Sequence, residues 1–224
     1  MESVDMESLY EKLMEFLREE DKENSFKLCM NALEEGSTTV VNLYESILTP
    51  ALNSIIEEYD LDIESLIWKE HVRSGIIRTI VECAYPYVLR ERDKLGSRYE
   101  TSVIVMCPQF EDHELGARMV SDFFTIAGYN TIFIGANTPE ATILKAIETI
   151  YPTYVCISVT NHFNLVATKK TIEKIKRTLD KNIKFILGGN AFTSDPSMYK
   201  KVGGDFELKS FQDILNLYDG DERN

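Results

Sequence analysis

Three observations predict an α/β protein in two parts. Helical periodicity runs unbroken from the start to about residue 89; a charged, Gly-containing stretch follows at 90–100; beyond it, apolar β-branched runs alternate with helical segments. A helix period giving way to a strand–helix alternation marks a helical region followed by a parallel sheet covered on both faces. The predicted class is an N-terminal helical bundle, residues 1–92, followed by a Rossmann-like, flavodoxin-like five-stranded parallel sheet, residues 100–224.

In the first part, Leu9, Leu13, Phe16 and Leu17 form one apolar stripe. A second helix over about 23–35 carries Phe26, Cys29, Met30 and Leu33, and Gly36 supplies its stop. Ser37, Thr38 and Thr39 offer an N-cap for a third helix bearing Val40, Val41, Leu43, Tyr44, Ile47 and Leu48. Pro50 is expected to kink or restart that helix. A fourth helix opens near Asp62 and is expected to reach about Leu89. Short turns between four helices read as an antiparallel bundle. In the second part, strands are expected at about 101–107, 130–134, 153–158 and 183–187, with a weak last one near Gly204-Asp205-Phe206. Helices are expected at about 114–127, 139–150, 165–180, 195–201 and 210–218.

Composition excludes several function classes. No apolar run reaches the ~18 residues of a membrane helix, and the acidic amino terminus lacks a signal-peptide pattern, so a cytoplasmic location is expected. The net charge is −13, with residues 1–100 holding 11 Lys+Arg against 22 Asp+Glu. Such a balance argues against sequence-independent binding to nucleic acid. The basic cluster Lys169, Lys170, Lys174, Lys176 and Arg177 reads as a solvated helix face. Cys29, Cys83, Cys107 and Cys156 form no Cys-x-x-Cys pair and read as structural.

The chemistry concentrates where the first strand runs into its helix, at Glu111-Asp112-His113-Glu114-Leu115-Gly116. Loops at the carboxyl ends of parallel strands are where such sheets place ligands. The three histidines, His71, His113 and His162, do not cluster with the cysteines as a zinc site requires. A macrocycle bringing four equatorial nitrogens needs only one axial protein ligand. His113 suits that role, with Glu111 placed to take the other ring N–H and so set the tautomer; it equally suits a loop histidine that caps the following helix. Ser158-Val159-Thr160 ends the third strand, where its hydroxyls could bond Glu111 or line a ligand. Gly188-Gly189 ends the fourth, either for close backbone approach of a ligand or for a sharp turn. Thr138-Pro139 is ordinary helix-start chemistry.

Taken in register, Glu111-x-His113-x-x-Gly116, Gly135 with Thr138-Pro139, Ser158-Val159-Thr160 and Gly188-Gly189 resemble the cobalamin-binding domain, whose common motif is Asp-x-His-x-x-Gly. The preceding helices resemble the bundle that caps the upper corrin face in that family. The resemblance implies a corrinoid sandwiched between the two parts, with His113 as lower axial cobalt ligand in place of the cofactor's own base. It implies Glu111 and Ser158 as the acid and hydroxyl behind that histidine, and Gly116, Gly188 and Gly189 as the lining of the slot for the nucleotide tail. Asp112, Leu115 and Thr160 belong to the same motifs, and His162 lies on the loop beside that slot.

Within the family, Glu111-Asp112-His113-Glu114-Leu115-Gly116-Ala117-Arg118-Met119-Val120 looks more like cobalamin-sensing regulators, photoreceptors among them, than like methyl-carrying proteins reading Asp-x-His-Asp-Ile-Gly-Lys-Asn. Glu70-His71-Val72-Arg73-Ser74 is similar to the Glu-His-x-x-Ser of the sensor cap, which makes Trp68, Glu70 and His71 expected contacts on the upper corrin face. Where the photoreceptor pattern has a tryptophan ten residues before that glutamate, this chain has Asp60 beside Tyr59. The expected function is a non-enzymatic sensor signalling to a partner protein. The alternatives are a methyl-carrier subunit serving a methyltransferase and a storage or delivery protein. The cofactor is cobalamin in its adenosyl, methyl or hydroxo form, and a homo-oligomer is compatible with each reading.

Overall fold

The computed structural model describes residues 6–55, 62–96, 100–179 and 182–221. Asp60 and Tyr59 lie outside them. The chain divides into two compact units, one ending at Glu91 and the other starting at Arg92.

In the helical unit, α1 (Met6–Arg18) buries Leu9, Leu13 and Leu17, residues one turn apart on one face. Helix α2 (Lys22–Glu34) starts on Asp21, whose carboxylate accepts the Asn24 N–H at 3.0 Å. Thr39 opens α3, taking the Asn42 N–H at 3.1 Å. This helix runs α over Val40–Asn42, widens to π over Leu43–Leu48, and returns to α over Thr49–Asn53. Pro50 therefore sits in the first turn of a renewed α segment, where a residue without an N–H is tolerated. Pro50 carries no N–H, and the wider turn ahead of it lets Thr49 N–H reach back to the Tyr44 carbonyl. At the far end, the orphan Ala51 carbonyl accepts from the buried Arg73 guanidinium at 3.1 Å.

Asp62 caps the next helix through the Ser65 N–H at 2.9 Å, as its position suggests. The expected single helix to Leu89 is in fact two, α4 (Ile63–Cys83) and α5 (Tyr85–Leu95). Pro86 explains the break, since it cannot donate to a carbonyl in the preceding turn and its ring clashes there. Leu13, Leu43, Tyr44, Ile47, Leu48, Ile77 and Ile80 are fully buried and make the unit's core. Burial stabilises by roughly 1.5–3 kcal/mol for each such aliphatic side chain.

The second unit has five parallel strands: β1 (Ser102–Met106), β2 (Asn130–Gly135), β3 (Tyr154–Ser158), β4 (Lys184–Gly188) and β5 (Phe206–Glu207). The helices between them are α6 (Leu115–Ala127), α7 (Glu140–Ile150), α8 (Leu165–Thr178) and α9 (Met198–Val202), and α10 (Phe211–Asp221) follows β5. Ile104, Met106, Val155, Ile157, Phe185 and Leu187 are buried against Ile143, Ile147, Ile172 and Ile175 of α7 and α8. The sheet order β2-β1-β3-β4-β5 is all parallel. Chain direction across the sheet reverses between β1 and β3, the position at which such sheets place ligands, and the loop containing His113 and the turn after Ser158 leave the sheet there. Among the described residues no helix is long and apolar enough to cross a membrane.

Candidate functional site

Cys107 leaves β1 with its N–H on the Gly135 carbonyl at 3.0 Å, extending the strand pairing by one residue. The chain then turns through Phe110, which has a positive φ of 71°. This turn drives Glu111 into the protein and leaves His113 outside: the Glu111 side chain is 1% exposed and that of His113 is 60% exposed. The two meet at 2.6 Å between Nδ1 and Oε1, and the same oxygen accepts the His113 backbone N–H at 3.3 Å.

The second carboxylate oxygen, Oε2, accepts the Thr160 N–H at 3.1 Å, the Asn161 N–H at 2.9 Å and the Asn164 side-chain amide at 3.1 Å. Burial alone raises the pKa of Glu111. The hydrogen bonds from Asn161, from the His113 ring, from Asn164 and from the His113 backbone outweigh burial, and the pKa lies below the ordinary carboxylate value. An ionised carboxylate only accepts, so the Nδ1 of neutral His113 carries the proton and Nε2 keeps its lone pair.

A second set of bonds ties the loop to the end of β2. Asn137, in the left-handed region at φ 48°, accepts the Phe110 N–H at 3.0 Å and donates to Asp112 at 3.2 Å. Its own N–H reaches the Glu111 carbonyl at 3.0 Å. Glu114 accepts the Ala136 N–H at 3.1 Å, and a side chain at Gly135 would press on that carboxylate at 3.2 Å. The imidazole is therefore mounted on a loop held from both neighbouring strand ends. Pre-organisation of this kind is what a ligand donor needs.

The residues singled out in the sequence fall into different places. Glu111 and His113 are paired as expected. Asp112 is exposed and engaged with Asn137. Leu115 is buried in the first turn of α6. Thr160 reaches Glu111 through its backbone N–H, while the Ser158 hydroxyl, expected behind the histidine, is not among the partners of Glu111. The physical reason is reach: Glu111 extends past the end of β3 to the loop amides beyond it. His162 is exposed in a single 3-10 turn, His162–Asn164.

The three glycines also differ. A side chain at Gly189, where φ is 101°, would lie 2.4 Å from the Val159 carbonyl oxygen, and one at Gly188 would meet the Leu208 carbonyl at 3.0 Å. Chain packing at the end of the sheet demands glycine at Gly189, whereas at Gly188 a Cβ would fit tightly against the Leu208 carbonyl. At Gly116, on the first turn of α6, a side chain would meet nothing within 4 Å.

In the helical unit, Trp68, His71, Val72 and Gly75 share an exposed face of α4. Glu70 accepts the Ser74 hydroxyl at 2.7 Å and lies 3.5 Å from the His71 Nε2. Motif spacing does not single out Asn137, Asn164 or the exposed aromatics Phe110 (71%) and Phe163 (89%), whose backbones adjoin Glu111 and Asn164. The Asn161-x-x-Asn164 spacing at the start of a helix was the one available signal for Asn164. Among the described residues, no group of three or more His, Cys, Asp or Glu side chains is arranged to hold a metal ion.

No curated protein matches the sequence. Among solved structures, the monomethylamine corrinoid protein of Methanosarcina barkeri is similar at a TM-score of 0.78 and 12% identity, covering 96% of this chain and 98% of that one. A cobalamin-binding protein of Desulfitobacterium hafniense DCB-2 is similar at a TM-score of 0.52 and 15% identity, also over 96% of this chain and 98% of that one. At these identities the likeness is one of fold, helices followed by a parallel sheet. The family model described as the B12 binding domain matches residues 101–209. That segment runs from β1 through β5, so the α/β unit is the part of the chain that is similar to the B12 binding domain.

Proposed function

We propose that the chain is a corrinoid-binding protein that carries a methyl group on cobalt for a partner methyltransferase, with His113 as the lower axial donor. The observation that carries the corrinoid reading is the Glu111–His113 contact at 2.6 Å, with the imidazole facing solvent on a braced loop; an ionised carboxylate at Nδ1 favours the tautomer that leaves Nε2 as a donor. A cofactor that brings four equatorial nitrogens asks the protein for one such donor, and the donor set here is one imidazole. When bound, the corrinoid supplies a cobalt centre able to take up and release a methyl group.

The chain's own residues have simpler tasks. His113 binds and orients. Glu111 keeps the proton on Nδ1 and fixes the orientation of the ring. Gly116 leaves room beside the start of α6 for a tail, and Phe110 and Phe163 offer apolar surface to a flat macrocycle.

The carrier reading is preferred to the sensor first expected because a monomethylamine corrinoid protein shares the fold over both parts of the chain. The sensor reading keeps one specific support, the Glu70–Ser74 bond beside an exposed His71 on α4. Light and methyl transfer discriminate between them. The protein is loaded with adenosylcobalamin and illuminated while absorbance and size-exclusion volume are followed, and loaded with methylcobalamin and offered a thiol with a corrinoid-dependent methyltransferase. Methyl transfer without a light-induced change of assembly supports the carrier; the reverse result removes it. Replacing His113 with Ala should convert the spectrum from histidine-ligated to that of the free cofactor. An identical spectrum in both proteins would take His113 out of this role.

A further inference from the structure

Glu111 has two jobs divided between its two oxygens. Oε1 faces His113; Oε2 is the anchor, and it holds three donors. Two of these are main-chain N–H groups, of Thr160 and Asn161. The third is the Asn164 amide, the one side chain besides His113 that donates to Glu111 among the described residues.

Asn164 is itself built into the fold. It is 8% exposed, and its Nδ2 also donates to the Phe110 carbonyl at 3.3 Å, on the residue that turns Glu111 inward. Its N–H bonds the Asn161 carbonyl at 2.9 Å and its carbonyl accepts the Thr168 hydroxyl at 2.8 Å, which fixes the backbone from which the amide projects. Ser158 stands two residues before Thr160 and makes none of these bonds. The side chain of this loop that braces Glu111 is a buried amide and not the strand-end hydroxyl.

We propose that Asn164 is a positioning residue that acts through Glu111 to hold His113 in one tautomer and one orientation, and that Ser158 has no share in this task. The functional meaning of the inference rests on the reading of His113 as the axial donor; its structural content does not. Without the amide, Oε2 loses one of three donors and the Phe110 carbonyl loses its side-chain donor. Glu111 can then swing, and the Nδ1 hydrogen bond is no longer the single option for the ring.

The test has two arms, on the full chain. In the first, the cofactor-free protein with isotopically labelled histidine is examined by NMR at one fixed pH above neutral, reading the His113 tautomer and the retention of its Nδ1–H proton. Wild type and Ser158→Ala should show the locked Nδ1–H form. Asn164→Ala, and Asn164→Asp, which keeps the size of the side chain but removes both donors, should show a mixture with rapid loss of that proton. In the second arm, cob(II)alamin is added to nitrogen-labelled protein, and the electron paramagnetic resonance splitting from the axial nitrogen is recorded during titration. The Asn164 variants should bind about tenfold or more weakly, in line with the loss of an outer partner of a metal-bound histidine, with Ser158→Ala unchanged. The proposal is overturned if both Asn164 variants keep the locked tautomer, or if Ser158→Ala loses it. If the first arm comes out as expected while the splitting in wild type arises only from the cofactor's own base, Asn164 keeps its positioning role and the axial-ligand reading alone falls.

Discussion

Glu111 and His113 form a buried-to-exposed pair, a carboxylate sealed inside the α/β unit holding at 2.6 Å an imidazole that stands in solvent. The distance is short for a hydrogen bond between side chains and marks a charge-assisted one. Neutralising the acid while keeping its shape tests how much depends on it. Glu111→Gln retains one acceptor oxygen but brings an NH2 group that must face either His113 or the donors of Thr160, Asn161 and Asn164. One side of the network then meets donor against donor. The expected outcome is corrinoid affinity lower by about 10–100-fold, measured by spectral titration, with the sheet intact by circular dichroism. Glu111→Asp withdraws the carboxylate by ~1.5 Å and should also weaken binding, because it cannot reach both His113 and the amides beyond β3.

The same network sets a pH limit. Glu111 is held below its ordinary pKa of 4.5 by its hydrogen bonds. A lowered folded-state pKa means that the carboxylate contributes stability in full above the ordinary value, and that this contribution fades as pH falls through the folded-state value. Stability to urea should therefore be level with respect to this group above pH 4.5 and drop below it, and the drop should shrink in Glu111→Gln. An acid limb of equal depth in both proteins would show that other carboxylates govern it.

The amino-acid sequence carried most of the fold and about half of the site, for reasons that lie in particular residues. The four main strands were legible because both faces are covered, which makes Val103-Ile104-Val105-Met106 and Phe185-Ile186-Leu187 continuous apolar runs. Glu111-x-His113 was legible because a local spacing encodes a local hydrogen bond. Asn164 and Asn137 were not, since they reach the same loop from 53 and 27 positions away, and only the strand order brings them there. Pro50 and Pro86 show the limit of local rules. One follows a π turn and opens a renewed α segment whose Ala51 carbonyl Arg73 satisfies, the other splits a helix, and tertiary surroundings decide which.

Gly189 and Gly116 should respond in opposite ways to the same substitution. Gly189→Ala places a methyl 2.4 Å from the Val159 carbonyl at a backbone φ of 101°. Overpacking of this kind costs about 1–3 kcal/mol, and the left-handed backbone adds about 1–2 kcal/mol for a residue with a Cβ. A clear fall in the denaturation midpoint is expected. Gly116→Ala enters open space on a helix, where alanine is favoured over glycine by up to ~1 kcal/mol. It should leave stability unchanged or raised. A larger side chain there, Gly116→Leu, should spare the fold yet weaken binding of a complete cobalamin more than that of a corrinoid trimmed of its nucleotide tail. Equal weakening for both would place the tail elsewhere.

Thiol reactivity tests the packing of both units at once. Cys29 is buried in the helical unit and Cys107 and Cys156 in the α/β unit, and burial pushes each thiol up to about 12. For Cys107 the nearby Glu111 and Glu114 carboxylates push the same way. The thiolate is the reactive form, so these three should be inert in the native state at neutral pH, whereas the exposed Cys83 is accessible. A disulfide reagent should thus titrate one fast thiol in native protein and four after denaturation. Cys83→Ser should abolish the fast phase. Since Cys107 lies directly under the histidine loop, with its Sγ 3.7 Å from the His113 carbonyl, Asn164→Ala and Glu111→Gln should speed its modification while leaving Cys29 slow. Equal acceleration of Cys29 would instead mean that these substitutions loosen the whole chain.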